Sequence, residues 1–150
     1  MNQNKLIKFT SLLLKLMFYL GIPIVLSLPF SLRWSGDYFR LFRPEYYVLM
    51  LIVLLFAGVF ALLILHQLNK MIKTVIEHNS FVLQNVVSLK RMGLYSFILS
   101  FIFLIKITFR MTPATLIIIP TFFIAGLFCF VLAFVFREAI QYKEENELTI

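Results

Sequence analysis

The sequence predicts an all-α integral membrane protein with four transmembrane helices and a cytoplasmic helical hairpin between helices 2 and 3. Three observations indicate this class. The 150 residues contain four separate apolar runs. Hydrophobic residues make up 61% of the chain and charged residues 14%, whereas soluble domains average about 45–50% and about 25%. The runs are continuous rather than alternating, which favours helices, because lipid offers the backbone no hydrogen-bond partner.

The first run covers residues 12–30 and follows Lys5 and Lys8. This order resembles a signal peptide. However, the run is long, it contains Pro23 and Pro29, and bulky residues rather than a small-residue cleavage site follow it. We therefore expect a retained membrane anchor.

The other three runs cover residues 46–65, 93–110 and 116–136. The second and fourth carry no charge and reach the roughly 20 residues that a spanning helix needs. The third contains Lys106 and Arg110 near one end. It can span the bilayer if both side chains extend outward to the head groups, and this is what we expect of Lys106.

Small residues four apart predict where the helices pack closely, because they let backbones approach one another. Such residues occur in three of the runs: Ala57 and Ala61, Ser96 and Ser100, and the series Thr121, Ala125, Cys129 and Ala133.

Lysine and arginine residues are distributed unequally between the two sides of the predicted spans. Nine lie on the side of the N-terminus, the segment 66–92 and the tail 137–150, and five lie on the other side. The positive-inside rule therefore places both termini in the cytoplasm. The net charge of +7 then reflects topology and contact with the lipid bilayer. The sequence contains no basic stripe with interleaved aromatic residues, the pattern that would predict direct binding to nucleic acid.

The segment 31–45 is expected on the outer side and is rich in aromatic residues. We interpret it as an interfacial belt at the head groups. The alternative is a shallow site for a small or membrane-bound ligand, in which Arg33, Arg40 and Arg43 would face an anion.

Residues that build catalytic or metal sites are scarce. No Asp or Glu lies within any run, which disfavours ion-coupled transport. His66 and His78 have no third ligand nearby in sequence, and the single Cys129 lies within an apolar run as an unreactive thiol. Phosphate-binding loops, nucleophile elbows and paired carboxylates are absent from the sequence. We therefore expect no enzymatic activity, no metal and no cofactor.

The segment 66–92 predicts a helical hairpin at the cytoplasmic face. Apolar residues from Leu68 to Ile76 recur at helical spacing, as in an amphipathic helix that continues out of the membrane. Asn79 and Ser80 supply a stop and a new N-cap, and a second helix leads into the third span.

The tail 137–150 is acidic where the hairpin is basic, and two apolar residues follow its glutamates. A solvated tail has no physical need for Leu148 and Ile150. We therefore expect the tail to dock with these two side chains in an apolar groove, either of its own hairpin or of a partner.

Two segments resemble a known family. Asn79 to Gly93 reads NSFVLQNVVSLKRMG, and the tail ends KEENELTI. These resemble the middle and closing motifs of DUF2975, a family of small four-span bacterial membrane proteins with no established activity. Ser80 stands where the family usually has proline, and Glu147 where it usually has aspartate. Members are commonly encoded beside a small helix-turn-helix protein of the Cro/repressor type. The resemblance thus implies the bacterial inner membrane and such a regulator as partner.

Three functions remain open at this stage. The first is an interaction module or tether for a helix-turn-helix regulator in an envelope-signal response. The second is an immunity protein against a membrane-active peptide. The third is a small-solute transporter or its accessory subunit. The first is favoured because the two family motifs lie on the predicted cytoplasmic face. The residues expected to contact a partner lie in these motifs: Phe81, Asn85, Lys90, Arg91, Glu144, Glu145, Glu147, Leu148 and Ile150.

Overall fold

The computed structural model describes residues 3–39, 46–109 and 111–149, with side chains for 4–34, 46–109 and 111–149. Four α-helices make up nearly all of this part of the chain: α1 (Gln3–Phe39), α2 (Tyr47–Ile76), α3 (Leu83–Phe109) and α4 (Pro113–Leu148). Each contains a stretch long and apolar enough to cross a bilayer, and none of the described residues forms a strand. The predicted all-α, four-span class is confirmed, and the chain is a multi-pass membrane protein.

The helices form an open antiparallel row. Each packs on its neighbour in sequence, and within the described ranges no other pair of helices is in contact. Tyr47 Oη donates to the carbonyl oxygen of Pro29, which fixes α1 against the start of α2. The start of α1, the end of α4 and the turn between α2 and α3 therefore lie at one end of the molecule, which we call the terminal end.

The helices extend well beyond the predicted spans at the terminal end. α2 continues from the span 46–65 to Ile76, and α4 continues from the span 116–136 to Leu148. The arms of the predicted hairpin are the ends of α2 and α3, continuous with the spans as the sequence pattern predicts. The predicted N-cap at Ser80 is wrong, because α3 begins only at Leu83, after a non-helical turn.

The most extensive contact joins α3 and α4. Its core at the terminal end consists of Val86, Leu89, Ala133 and Ile140. Further along, Gly93 and Gly126 bring the two backbones together. A Cβ atom at Gly93 would lie 2.8 Å from ring carbons of Phe130 and 3.1 Å from the Gly126 carbonyl oxygen.

The predicted small-residue contacts are confirmed in part. Ser96 and Ser100 are buried, and the Ser100 hydroxyl donates to the Ile119 carbonyl oxygen of α4. In the predicted series on the fourth run only Ala133 is buried, since Thr121 and Ala125 are exposed and Cys129 is half-buried. Gly126, Ala133 and Ile140 are buried instead. Their spacing of seven is typical of helices that pack as in a coiled coil.

Candidate partner-binding surface at the terminal end

The turn that follows α2 is closed by backbone hydrogen bonds. The N–H of Asn79 donates to the carbonyl of Thr74, and the N–H of His78 donates to the carbonyl of Val75. This pairing is a Schellman motif, and His78 occupies its left-handed position with φ of 57°. Glycine usually fills that position, because a Cβ atom is disfavoured there.

Asn85 joins α2, the turn and α3. It is 1% exposed. Its Nδ2 donates one hydrogen bond to Thr74 Oγ1 at 2.7 Å and another to the Ser80 carbonyl oxygen at 2.7 Å. Its Oδ1 is buried without a hydrogen-bond partner in the described part of the chain. Asn85 was predicted to contact a partner protein, but the structure encloses its side chain within the hairpin.

Phe81 lies in the turn, with its ring centroid 5.3 Å from that of Phe136 on α4. Its side chain is nevertheless 48% exposed. Leu83 and Val87 are also exposed and lie on one face of α3, and Lys90 and Arg91 continue that face toward the predicted span. We call these five residues the hairpin surface: Phe81, Leu83, Val87, Lys90 and Arg91. It offers apolar side chains beside two cations.

The tail of α4 projects beyond the hairpin. Every described residue from Gln141 to Thr149 is exposed, including the three predicted glutamates. Leu148 is 87% exposed, so it does not occupy a groove of its own hairpin, and that alternative is wrong for the isolated chain. The reason is geometric: Ile140 is the last buried residue of α4, and the helix continues for about 12 Å beyond it. Ile150 lies outside the described residues.

The predicted partner residues thus fall into three groups. Asn85 is internal, the hairpin surface is exposed, and the acidic tail is exposed on a helix that points past the turn. The predicted residues of the last two groups are Phe81, Lys90, Arg91, Glu144, Glu145, Glu147 and Leu148. The sequence analysis missed Leu83 and Val87. Their helical spacing, four residues from each other and three or four from Lys90 and Arg91, was the signal that could have identified them.

Lys106 was expected to extend outward, and this prediction is wrong. The side chain is 7% exposed and lies between α3 and α4. Its Nζ donates to Thr115 Oγ1 at 3.1 Å and lies 5.7 Å from the centroid of the Phe103 ring. Thr112 and Thr115 share a further hydroxyl contact of 2.6 Å. A cation is therefore enclosed near the end of the bundle opposite the terminal end.

The outer segment is described only in part. Arg33 and Trp34 are exposed on the last turns of α1, as an interfacial belt requires. Arg40 and Arg43, which would complete the alternative anion site, lie outside the described residues, as does Arg110.

Comparison with known proteins identifies the family. A family model described as "Protein of unknown function (DUF2975)" matches residues 23–150. No curated protein and no solved structure matches the chain. The matched range includes the turn, the hairpin surface and the described part of the acidic tail. Because the match covers most of the sequence, the chain belongs to the DUF2975 family.

Proposed function

We propose that this protein is a non-enzymatic interaction module that holds a small helix-turn-helix regulator at the cytoplasmic face of a bacterial inner membrane. The observation that carries the proposal is the α4 tail, the end of a helix on which three glutamates and Leu148 are exposed. A DNA-binding protein carries a basic surface. An acidic helix complements that surface, and steering by opposite charges speeds association.

The hairpin surface supplies the second half of the proposed contact. Apolar groups exposed to water next to charges are typical of interaction sites. Phe81, Leu83 and Val87 can be covered by a partner that the tail recruits. Burial of such side chains contributes roughly 1.5–3 kcal/mol each, more than the roughly 0–1 kcal/mol of an exposed ion pair. The tail then supplies orientation and rate, and the hairpin surface supplies most of the affinity.

Orientation is part of this proposal. The excess of lysine and arginine at the terminal end supports a cytoplasmic location for both termini. Reporter fusions after Asn2, Asp37, His78 and Ile150 test this. We expect cytoplasmic signals at three of them and an external signal at Asp37. An external signal at His78 would contradict the proposed topology.

The partner is tested with a helix-turn-helix regulator encoded beside the gene, which the family resemblance implies. Co-expressed regulator should fractionate with membranes that contain the intact chain. Membranes containing the triple variant Glu144→Gln, Glu145→Gln, Glu147→Gln should retain about ten-fold less regulator than membranes containing the intact chain. The control is Glu77→Gln with Glu138→Gln, two exposed carboxylates at the same end that precede the exposed segment 141–149. Equal recovery with intact and triple-variant chains would contradict the proposal.

A second candidate, transport of a small solute or an accessory role in it, is favoured by Lys106 alone. Ionisable residues enclosed within a membrane-spanning helix commonly mark solute or ion pathways. If Lys106 serves a pathway, Lys106→Met should abolish uptake while the protein still folds and inserts. Flux into proteoliposomes containing intact and variant chains distinguishes this candidate from the first.

A further inference from the structure

The groove between α1 and α2 contains a basic pocket of about 310 Å³ close to the terminal end. Three of its seven lining residues are lysines, Lys15, Lys70 and Lys73, and none is acidic. Ligand pockets in proteins begin at about 300 Å³, so the space suffices for a small polar group. The charge and size favour an anion.

An apolar pocket of about 340 Å³ shares two residues with the basic one. Phe18 and His66 line both, and their ring centroids lie 6.0 Å apart. The remaining lining residues are Val59, Leu62 and Leu63. The basic pocket and the apolar pocket therefore lie next to each other along a single groove.

The predicted span 46–65 sets the expected depths of the two pockets in a bilayer. His66 is the first residue beyond the predicted span 46–65, at head-group level. Val59 lies seven residues earlier on α2, which is about 10 Å deeper into the hydrocarbon. A molecule that filled both pockets would need a charged head at the interface and an alkyl chain below it.

Asn69, one of the residues that line the basic pocket, also carries a polar atom that lacks a partner in the described part of the chain. Asn69 Nδ2 donates to the Leu14 carbonyl oxygen at 3.4 Å, which holds the amide between the two helices. Asn69 Oδ1 is buried and accepts no hydrogen bond from the described residues. A hydroxyl on the bound head group would supply the missing donor.

We propose that this groove binds an anionic glycerophospholipid of the phosphatidylglycerol type. Its phosphate lies among Lys15, Lys70 and Lys73, its glycerol hydroxyls lie at Asn69, and one acyl chain descends between Phe18 and Val59. Basic pockets between transmembrane helices recognise such head groups. The site is separate from the hairpin surface and the tail, so it is independent of the partner proposed above.

The occupant has a structural consequence. α1 contacts α2 alone among the described helices, and both are largely exposed. A lipid held in the groove joins α1 to α2 through both its head group and its chain. Occupancy should therefore stabilise the α1–α2 pair, because a ligand that binds only the folded state shifts unfolding to higher temperature.

Binding is measured by native mass spectrometry of the delipidated full chain in an uncharged detergent, titrated with phosphatidylglycerol, phosphatidylcholine or inorganic phosphate. We expect one phosphatidylglycerol to bind at least ten-fold more tightly than phosphatidylcholine. A lysine near anionic lipid contributes a factor of roughly five. The triple variant Lys15→Gln, Lys70→Gln, Lys73→Gln should therefore lose about 100-fold in affinity for phosphatidylglycerol.

Two controls separate this site from general effects. Lys5→Gln, Arg137→Gln, Lys143→Gln removes the same charge from exposed positions of the terminal end and should change affinity less than five-fold. Val59→Trp fills the apolar pocket from its exposed side and should weaken binding about ten-fold, whereas Phe56→Trp, one turn away and outside the pocket, should not.

Four results would overturn the proposal. Equal affinity for the two lipids would show lipid contact without a site. Equal losses in the two triple variants would show non-specific charge attraction. Displacement of the lipid by equimolar inorganic phosphate would indicate a simple anion site. An unchanged affinity for phosphatidylglycerol in Val59→Trp would show that no acyl chain lies in the groove.

Discussion

Asn85 of α3 donates a hydrogen bond to Thr74 of α2 at 2.7 Å, and both side chains are buried. The same Nδ2 atom also holds the Ser80 carbonyl oxygen in the turn. One amide therefore ties the two arms of the hairpin to the turn between them. The position of the hairpin surface relative to α4 depends on this connection, because Phe81 lies inside the segment that it closes.

Replacing Asn85 with Asp should destabilise the hairpin. The substitution keeps the shape of the side chain but removes the donor of both hydrogen bonds and buries a second acceptor. Leaving buried polar groups unsatisfied costs about 1–3 kcal/mol. Thermal unfolding in detergent should show a clear decrease in melting temperature, and limited proteolysis should cleave first between Glu77 and Val82.

The neighbouring Gln84→Glu is the control for the Asn85 substitution. Gln84 is exposed, so the same amide-to-carboxylate change there should leave the melting temperature within about 1 °C of the native value, since surface changes stay within about 0.5 kcal/mol. Equal effects at both positions would mean that the two hydrogen bonds contribute nothing.

His78 offers a prediction of opposite sign. A non-glycine residue in the left-handed region carries a cost of roughly 1–2 kcal/mol. His78→Gly should remove most of it, and the greater freedom of glycine when unfolded offsets part of the gain. We expect a net stabilisation of about 0.5–1 kcal/mol, whereas the β-branched His78→Val should destabilise. Chemical denaturation in mixed micelles measures both.

Glu77→Gly tests whether the left-handed backbone at His78 is the cause. Glu77 has φ of −78°, which any residue adopts, so glycine brings only the entropic cost there. Glu77→Gly should therefore destabilise the protein. A stabilising effect at both positions would contradict the explanation.

The contact between Gly93 and Gly126 predicts that α3 and α4 do not tolerate a methyl group. In Gly93→Ala the new Cβ would meet a ring and a backbone carbonyl, and the carbonyl cannot move without shifting α4. Overpacking of this kind costs about 1–3 kcal/mol. Gly21→Ala is the matched comparison, because its Cβ would meet only the flexible end of the Leu62 side chain, which can turn away. Both variants gain the same helix propensity, so their difference in unfolding free energy reports the contact. Equal stabilities would contradict the prediction.

The four spans could be predicted because hydropathy directly reports which segments tolerate lipid. The same signal could not locate the ends of the helices. α2 and α4 continue beyond the predicted spans as amphipathic or polar segments, which a hydropathy profile does not mark as part of a span. Nor could hydropathy identify the buried face of each span, since side chains that face lipid are as apolar as those that face a helix.

Polar residues were the better guide to the buried face. Buried side chains on α3 recur at alternating intervals of four and three residues: Asn85, Leu89, Met92, Ser96, Leu99, Phe103 and Lys106. The polar members of this stripe are already visible in the sequence, and they place Asn85 and Lys106 on one face. The expectation that Lys106 extends outward came from its distance to the end of the run alone. The α1–α2 groove could not be found this way, because it depends on two segments more than 50 residues apart.

The burial of Lys106 leads to the last prediction. Removing one partner of an enclosed charge is costly, whereas replacing the charge with an apolar side chain of similar volume is often neutral or stabilising. Thr115→Val removes the hydroxyl that accepts from Lys106 Nζ, and should destabilise by about 1.5–3 kcal/mol. Lys106→Met should change stability by less than about 1 kcal/mol, since Thr115 still has the Thr112 hydroxyl as a partner.

The double variant decides between this account and a favourable role for the charge. If Thr115→Val is costly because it leaves Lys106 short of a partner, adding Lys106→Met should restore much of the lost stability. Thr108→Val is the control, because that exposed hydroxyl bonds only within its own helix, to the Ile105 carbonyl oxygen. The double-mutant cycle consists of the unfolding free energies of the native protein, the two single variants and the double variant, all measured in mixed micelles. A loss in Lys106→Met as large as that in Thr115→Val, with no recovery in the double variant, would mean that the cation itself stabilises the packing of α3 on α4.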